Sequence, residues 1–214
     1  MTKQGLEYRN QESADNFKGL EPVIILAAGR SGRMGNDKAK LKYNDHSDFI
    51  GHLLNSYFDA GVSKMILVVN EKFLAQDNNF PSTVSVVVNR HPEKGRLSSM
   101  LCGMQLLEFG QSCFLQNVDN PYIETGLLQA LSQVSTPESY VVPMHNGRGG
   151  HPILLGSEMI RYILTSGYIR DFRTVLSRFA RMEVEWADEK VLLNINTPDD
   201  YLKFRKMIDL EHKI

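Results

Sequence analysis

Continuous apolar runs of strand length recur along the chain, at Pro22–Ala27, Met65–Val69, Val84–Val88, Cys113–Leu115, Tyr140–Pro143 and Val191–Ile195. Runs without polar alternation predict strands covered on both faces, as parallel strands are. Between them, apolar positions fall three and four residues apart. Phe49–Ala60 carries Phe49, Ile50, Leu53, Leu54, Tyr57 and Phe58 ahead of Gly61, and Leu97–Phe109 carries Met100, Leu101, Met104 and Leu107 ahead of Gly110. This period predicts further helices over Ile123–Val134, Ser157–Thr165, Asp171–Phe179 and Asp199–Ile208, the last with a Thr197 cap and Pro198 at its first position. Alternating strands and helices predict an α/β sandwich with a largely parallel sheet. The order loosens over Tyr140–Leu155, where short runs flank His145-Asn-Gly-Arg-Gly-Gly150. That stretch, with Ile153–Leu155 as a strand, predicts a hairpin or insertion at the edge of the sheet.

Composition narrows the class. At 214 residues, 42% hydrophobic and 23% charged, the chain has the length and make-up of one globular domain. A chain this long buries roughly 70% of its unfolded surface and needs no disulfide or metal staple. Its 24 basic residues nearly cancel its 25 acids, which argues against a bulk nucleic-acid binder. No apolar run reaches membrane-spanning length, so no membrane association is expected. Residues 1–19 are polar, without a signal-peptide core, and read as an extension ahead of a domain at 20–214. Cys102 and Cys113 match no metal spacing and read as buried or half-buried thiols, giving a cytoplasmic expectation.

Chemistry concentrates after the first strand, in Ala28-Gly-Arg-Ser-Gly-Arg-Met-Gly35. From Arg30 to Lys42 there are five basic residues (Arg30, Arg33, Lys38, Lys40, Lys42) against one acid, Asp37. A glycine-rich loop at a strand end offers backbone N–H groups to phosphate oxygens, and the added charge suits a polyphosphate. The spacing Gly29-x-x-Gly32-x-x-Gly35 fits neither the dinucleotide fingerprint nor the Walker A loop. A turn-rich surface loop with solvated lysines is the competing reading.

Leu26-Ala-Ala-Gly-Arg-Ser-Gly-Arg-Met-Gly-Asn-Asp-Lys38 resembles the signature of nucleotidyltransferases that consume a nucleoside triphosphate and release pyrophosphate. It is most similar to the molybdenum cofactor cytidylyltransferase-like family. Asn89-Arg-His-Pro-Glu-Lys-Gly95 with Ser98 and Ser99 looks like the family's segment approaching the base, with Leu97 in place of one serine. Gln116-Asn-Val-Asp-Asn-Pro121 resembles its metal motif, with Val118 where glycine is common. Gly150-His-Pro152 is similar to an element of the cytidylyltransferase branch. Leu193-Asn-Ile-Asn-Thr-Pro-Asp-Asp-Tyr201 looks like the closing motif, with Asn194 and Asn196 where aspartates are usual.

The resemblance implies a Rossmann-like three-layer sandwich of the nucleotidyltransferase/glycosyltransferase-A type. It implies a Mg2+-dependent enzyme moving CMP from CTP onto a phosphorylated small molecule such as molybdopterin, with a molybdoenzyme as a possible maturation partner. Leu26, Ala27, Ala28, Gly29, Arg30, Ser31, Gly32, Arg33, Lys38, Asn89, Ser98 and Ser99 would bind the nucleotide, with Arg33 and Lys38 on its phosphates. Asp119 would hold magnesium, assisted by Asn194 or Asn196. Gly150, His151 and Pro152 would meet the acceptor. Such transfer needs positioning and charge neutralisation rather than a protein nucleophile, so His151 reads as structural or as an acceptor contact before it reads as a base. His46, His52, His91, His145 and His212 read as surface residues, and Arg161, Arg170, Arg173, Arg178 and Arg181 as solvated helix faces. The alternatives are a sugar-1-phosphate-type nucleotidyltransferase and a non-catalytic nucleotide-binding regulatory or chaperone protein.

Overall fold

The structure is a computed structural model describing residues 19–29, 41–74, 80–166, 169 and 171–211. Most of the polar extension, and Arg30, Ser31, Gly32, Arg33 and Lys38 of the glycine-rich loop, lie outside the described residues. In chain order the elements are β1 (Val23–Leu26), α1 (Phe49–Asp59), β2 (Met65–Val69), α2 (Glu71–Leu74), β3 (Val84–Val88), α3 (Arg96–Met104), β4 (Cys113–Asn117), α4 (Thr125–Val134), β5 (Ser139–His145), β6 (Arg148–Gly149), β7 (Ile153–Leu155), α5 (Ser157–Thr165), α6 (Phe172–Leu176), β8 (Ala180–Glu185) and α7 (Pro198–Glu211). No helix among the described residues is long and apolar enough to cross a membrane.

The sheet runs β3-β2-β1-β4-β7-β5, with β6 against the far end of β5 and β8 along the other side of β5. β1, β2, β3 and β4 are mutually parallel, β8 is parallel to β5, and β7 runs antiparallel to both β4 and β5. The sheet is therefore mixed and mostly parallel, as expected. Its apolar strands feed two cores by simple alternation. Val23, Ile25, Ala27, Met65, Leu67, Val69 and Phe114 face a cluster shared with α1, α4 and α7. Ile24, Leu26, Ala28, Ile66, Val68 and Leu115 face a second cluster shared with α3, α5 and α6. Each buried side chain of this size stabilises the fold by about 1.5–3 kcal/mol, and both layers are needed because neither strand face is polar.

Three expectations change. The Tyr140–Leu155 stretch is not confined to an edge: β7 sits inside the sheet between β4 and β5, with all three residues buried. Asn146 and Gly147, at φ 49° and 72°, turn β5 back into β6, as a tight hairpin requires. Val191–Ile195 is not a strand; Glu189–Leu192 forms a 3-10 turn that buries Val191, and Ile195 is buried beyond it. β8 was not expected, and it places Arg181 on a strand beside Glu183, 3.0 Å away, rather than on a helix.

Candidate active site

The C-terminal ends of β1, β2, β3 and β4 lie together, and the described candidate segments converge there. Leu26 pairs with Val68 on one side and Asn117 on the other. Val118 N donates to Leu26 O at 3.1 Å, so the chain leaving β1 passes directly beside the turn after β4. Ala27 and Ala28 are buried there, while Gly29 is exposed. Among the described residues, no atom lies within 4 Å of where a Gly29 side chain would begin.

Asn89, at the end of β3, is buried and donates to Ser98 Oγ and Ser99 Oγ, each at 2.9 Å. Its carbonyl accepts from His91 N at 2.8 Å. Both amide hydrogens are thus spent inside the protein, and Asn89 fixes the two serines on the first turn of α3. Gly95 begins that helix at φ 85° and ψ −173°, a region open essentially to glycine alone. Leu97 packs against the second core, and Val118 is buried in the first, so neither departure from the family pattern leaves a gap.

The turn after β4 is built on buried amides. Tyr57 Oη donates to Gln116 Oε1 at 3.0 Å, and the Gln116 amide donates to Asn117 O and Asn120 O. Asn117 Nδ2 donates to Asn120 Oδ1 and to His151 Nε2, both at 3.0 Å. The chain after β8 then clamps this turn. Asn120 donates to Leu193 O, Ile195 N donates to Asp119 O at 2.9 Å, and His151 N donates to Val191 O at 2.9 Å. Asn194 and Asn196 therefore flank the contact with Asp119, and Asn196 Nδ2 donates to Asn194 Oδ1 at 2.6 Å. Gly150 is obligatory on packing grounds, because a side chain would begin 2.4 Å from Val191 O.

Electrostatics separate the histidines. Burial, with the nearby positive charge of Arg96, lowers the His151 pKa to about 4. It is neutral at pH 7, and its Nε2 lone pair is taken by the Asn117 amide. His52 is not a surface residue: it stacks on Tyr43 at 3.4 Å, its Nε2 meets Pro121 O at 3.0 Å, and burial lowers its pKa to about 4. Arg96, which no motif singled out, lies over the Phe172 ring at 5.5 Å, within the field of Asp119, and its own charge bears on His151.

The donor set near Asp119 suits a hard cation that keeps its waters. Among the described residues no three His, Cys, Asp or Glu side chains converge as a metal cage. One carboxylate with neighbouring amide oxygens is what magnesium accepts when phosphates complete its shell.

The sequence profile of the MobA-like NTP transferase domain family matches residues 23–183. The molybdenum cofactor cytidylyltransferase of Escherichia coli K12 is 25% identical over 189 residues, covering 84% of this chain and 92% of that protein. A probable molybdenum cofactor guanylyltransferase of Carboxydothermus hydrogenoformans is 26% identical over 199 residues, covering 88% and 97%. Among solved structures, the Rv0371c protein of Mycobacterium tuberculosis H37Rv superimposes with a TM-score of 0.73 at 20% identity, over 88% of this chain and 98% of its own. The same protein is also known as a manganese complex, with a TM-score of 0.67 at 19% identity over 88% and 98%. At these identities the structures speak for the fold alone.

Proposed function

Since the chain belongs to the MobA-like NTP transferase family and is a nucleotidyltransferase, we propose that it transfers CMP from CTP to the phosphate of a molybdopterin-type acceptor in the presence of Mg2+. The observation that supports this is the clamp of Ile195 on Asp119 and of Val191 on His151, which ties the segments proposed for metal and acceptor together beside the C-terminal ends of β1 and β4.

An acceptor phosphate oxygen forms the new bond to the α-phosphorus. The bond from that phosphorus to its bridging oxygen breaks, and pyrophosphate leaves with the electron pair. Gly29, with Arg30, Ser31, Gly32, Arg33 and Lys38 beyond it, wraps the triphosphate, and the arginine fork and lysine point charge neutralise it. Ser98 and Ser99, held by Asn89, approach the base. Ala28 packs in the cluster shared with α3, and a methyl rather than a hydrogen at this point would favour a pyrimidine. Asp119, with an amide oxygen of Asn194 or Asn196, would hold Mg2+, which would supply charge neutralisation for the phosphates. Gly150, His151 and Pro152 line the acceptor side. His151 acts there as a neutral contact, since a phosphate anion needs no base. Carriage of the product to a molybdoenzyme fits the same reading.

The test is pyrophosphate release from CTP, GTP, UTP or ATP, each with molybdopterin and with or without magnesium. Magnesium-dependent release from CTP alone is expected. Preference for GTP would move the nucleotide assignment, and nucleotide binding without release would favour a non-catalytic role. Asp119→Ala is expected to abolish the magnesium response of nucleotide binding, measured as a thermal shift. A normal response would remove Asp119 from the metal site.

A further inference from the structure

Two anions must meet in this cleft, and their mutual repulsion has to be offset on both sides. The basic loop after β1 and the metal serve the triphosphate. On the acceptor side His151 is neutral, and its Nε2 is already occupied by Asn117. Positive charge for an acceptor phosphate would come from another side chain.

Arg96 has the position and the geometry. It is the first residue of α3, set by the Gly95 turn and followed at once by the Asn89-bound serines. Its guanidinium lies over the ring of Phe172 from α6, 5.5 Å from the ring centroid. This cation–ring contact holds the guanidinium in place, and its N–H donors, which bond no other described residue, can make a two-pronged contact with a phosphate. The residue is exposed, and among the described residues its side chain forms no hydrogen bond or ion pair. Surrounding protein nonetheless desolvates its charge, and the Asp119 carboxylate opposes that effect. Arg96 also contributes to the lowered pKa of His151, so its charge bears on the acceptor segment as well as on the metal aspartate. A cation braced on an aromatic ring, whose charge is felt by His151 and supported by Asp119, is arranged for a ligand anion.

We propose that Arg96, braced on Phe172, binds the phosphate monoester of the acceptor and presents its oxygen to the α-phosphorus of the bound nucleotide. This rests on the nucleotidyltransferase reading for its role, though not for its anion chemistry. Arg96 contacts the acceptor and is specificity-determining: an acceptor without a phosphate would lose the two-pronged contact. Phe172 is a positioning residue, acting through its contact with the guanidinium.

The experiment titrates methyl phosphate into the full chain by calorimetry, with the nucleotide loop first filled by α,β-methylene-CTP and magnesium. Arg96→Gln is expected to weaken methyl phosphate by roughly 10- to 100-fold, the range of a charge-assisted hydrogen-bonded pair, and to leave the nucleotide analogue's affinity within about twofold. Arg96→Lys should recover part of the loss, and Phe172→Leu should show a smaller loss with the same sign. Thermal melts of each variant check that the fold persists, and Arg96→Lys carries the test if Arg96→Gln does not fold. If the nucleotide analogue weakens while methyl phosphate does not, Arg96 belongs to the triphosphate site and the proposal falls. Unchanged binding of both also overturns it. Should the wild-type chain bind no nucleotide, the titration is run without the analogue. An Arg96-dependent phosphate site would then stand while the nucleotidyltransferase reading failed.

Discussion

Asn117 shows how much one side chain settles in this cleft. Its amide nitrogen reaches Asn120 Oδ1 on its own turn and His151 Nε2 on the neighbouring strand segment, 3.0 Å to each. By donating to Nε2 it requires the proton of neutral His151 to sit on Nδ1, so the ring's remaining polar edge is a donor. Asn117→Ala removes both bonds and is expected to cost about 1–3 kcal/mol, read by denaturant unfolding, because a half-buried acceptor is left without its partner. It should also lower turnover more than it raises the KM for nucleotide. At this scale the sequence was partly legible. Asp119, Ser98, Ser99 and His151 announce themselves by motif, whereas Arg96 does not. Its significance comes from Phe172 and His151, which are distant along the chain, and no spacing or periodicity connects them. His52 was misjudged for the same reason: its stacking partner Tyr43 and its acceptor Pro121 meet it only in three dimensions.

At the scale of elements, α3 is held unusually close to the sheet. A side chain at Gly103 would begin 2.5 Å from Ile24 Cγ2 and 3.1 Å from Val68 Cγ2. Gly103→Ala must therefore push the helix outward or displace a fully buried isoleucine. The expected cost is about 1–3 kcal/mol, or roughly 2–4 °C of melting temperature per kcal/mol for a chain of this size. Since Ser98 and Ser99 ride on this helix, nucleotide affinity should fall with it. Strands buried on both faces were read correctly at Val23–Leu26 and Met65–Val69, where four and five consecutive apolar residues are all buried. The opposite holds for β8: its residues are almost all exposed, so an edge strand of alternating charge carries no burial signal. Val191–Ile195 misled in the other direction. Its apolar ends, four residues apart, both face the core, and a short apolar run does not distinguish a strand from a turn that buries the same residues.

For the molecule as a whole, His52 and His151 impose a pH dependence. Both have pKa values of about 4 in the folded chain against an ordinary 6.5. Between those limits the unfolded chain binds more protons than the folded one, so their contribution to stability is complete above pH 6.5 and is lost as pH falls toward 4. Melting temperature is therefore expected to decline from pH 7 to pH 5, and the double variant His52→Gln/His151→Gln should flatten that slope. An equal slope in the variant would show that other groups carry it. The clamp formed by Val191, Leu193 and Ile195 has a consequence in time rather than in energy. It lies beyond every described strand in chain order, and beyond residue 183, where the family match ends. As the polypeptide leaves the ribosome, the sheet can assemble while the turn bearing Asp119 still lacks its fastening. A fragment ending at residue 185 would contain every described strand but lack Phe204 and Ile208, which complete the first core, together with the contacts that bring Asp119 and His151 under one restraint.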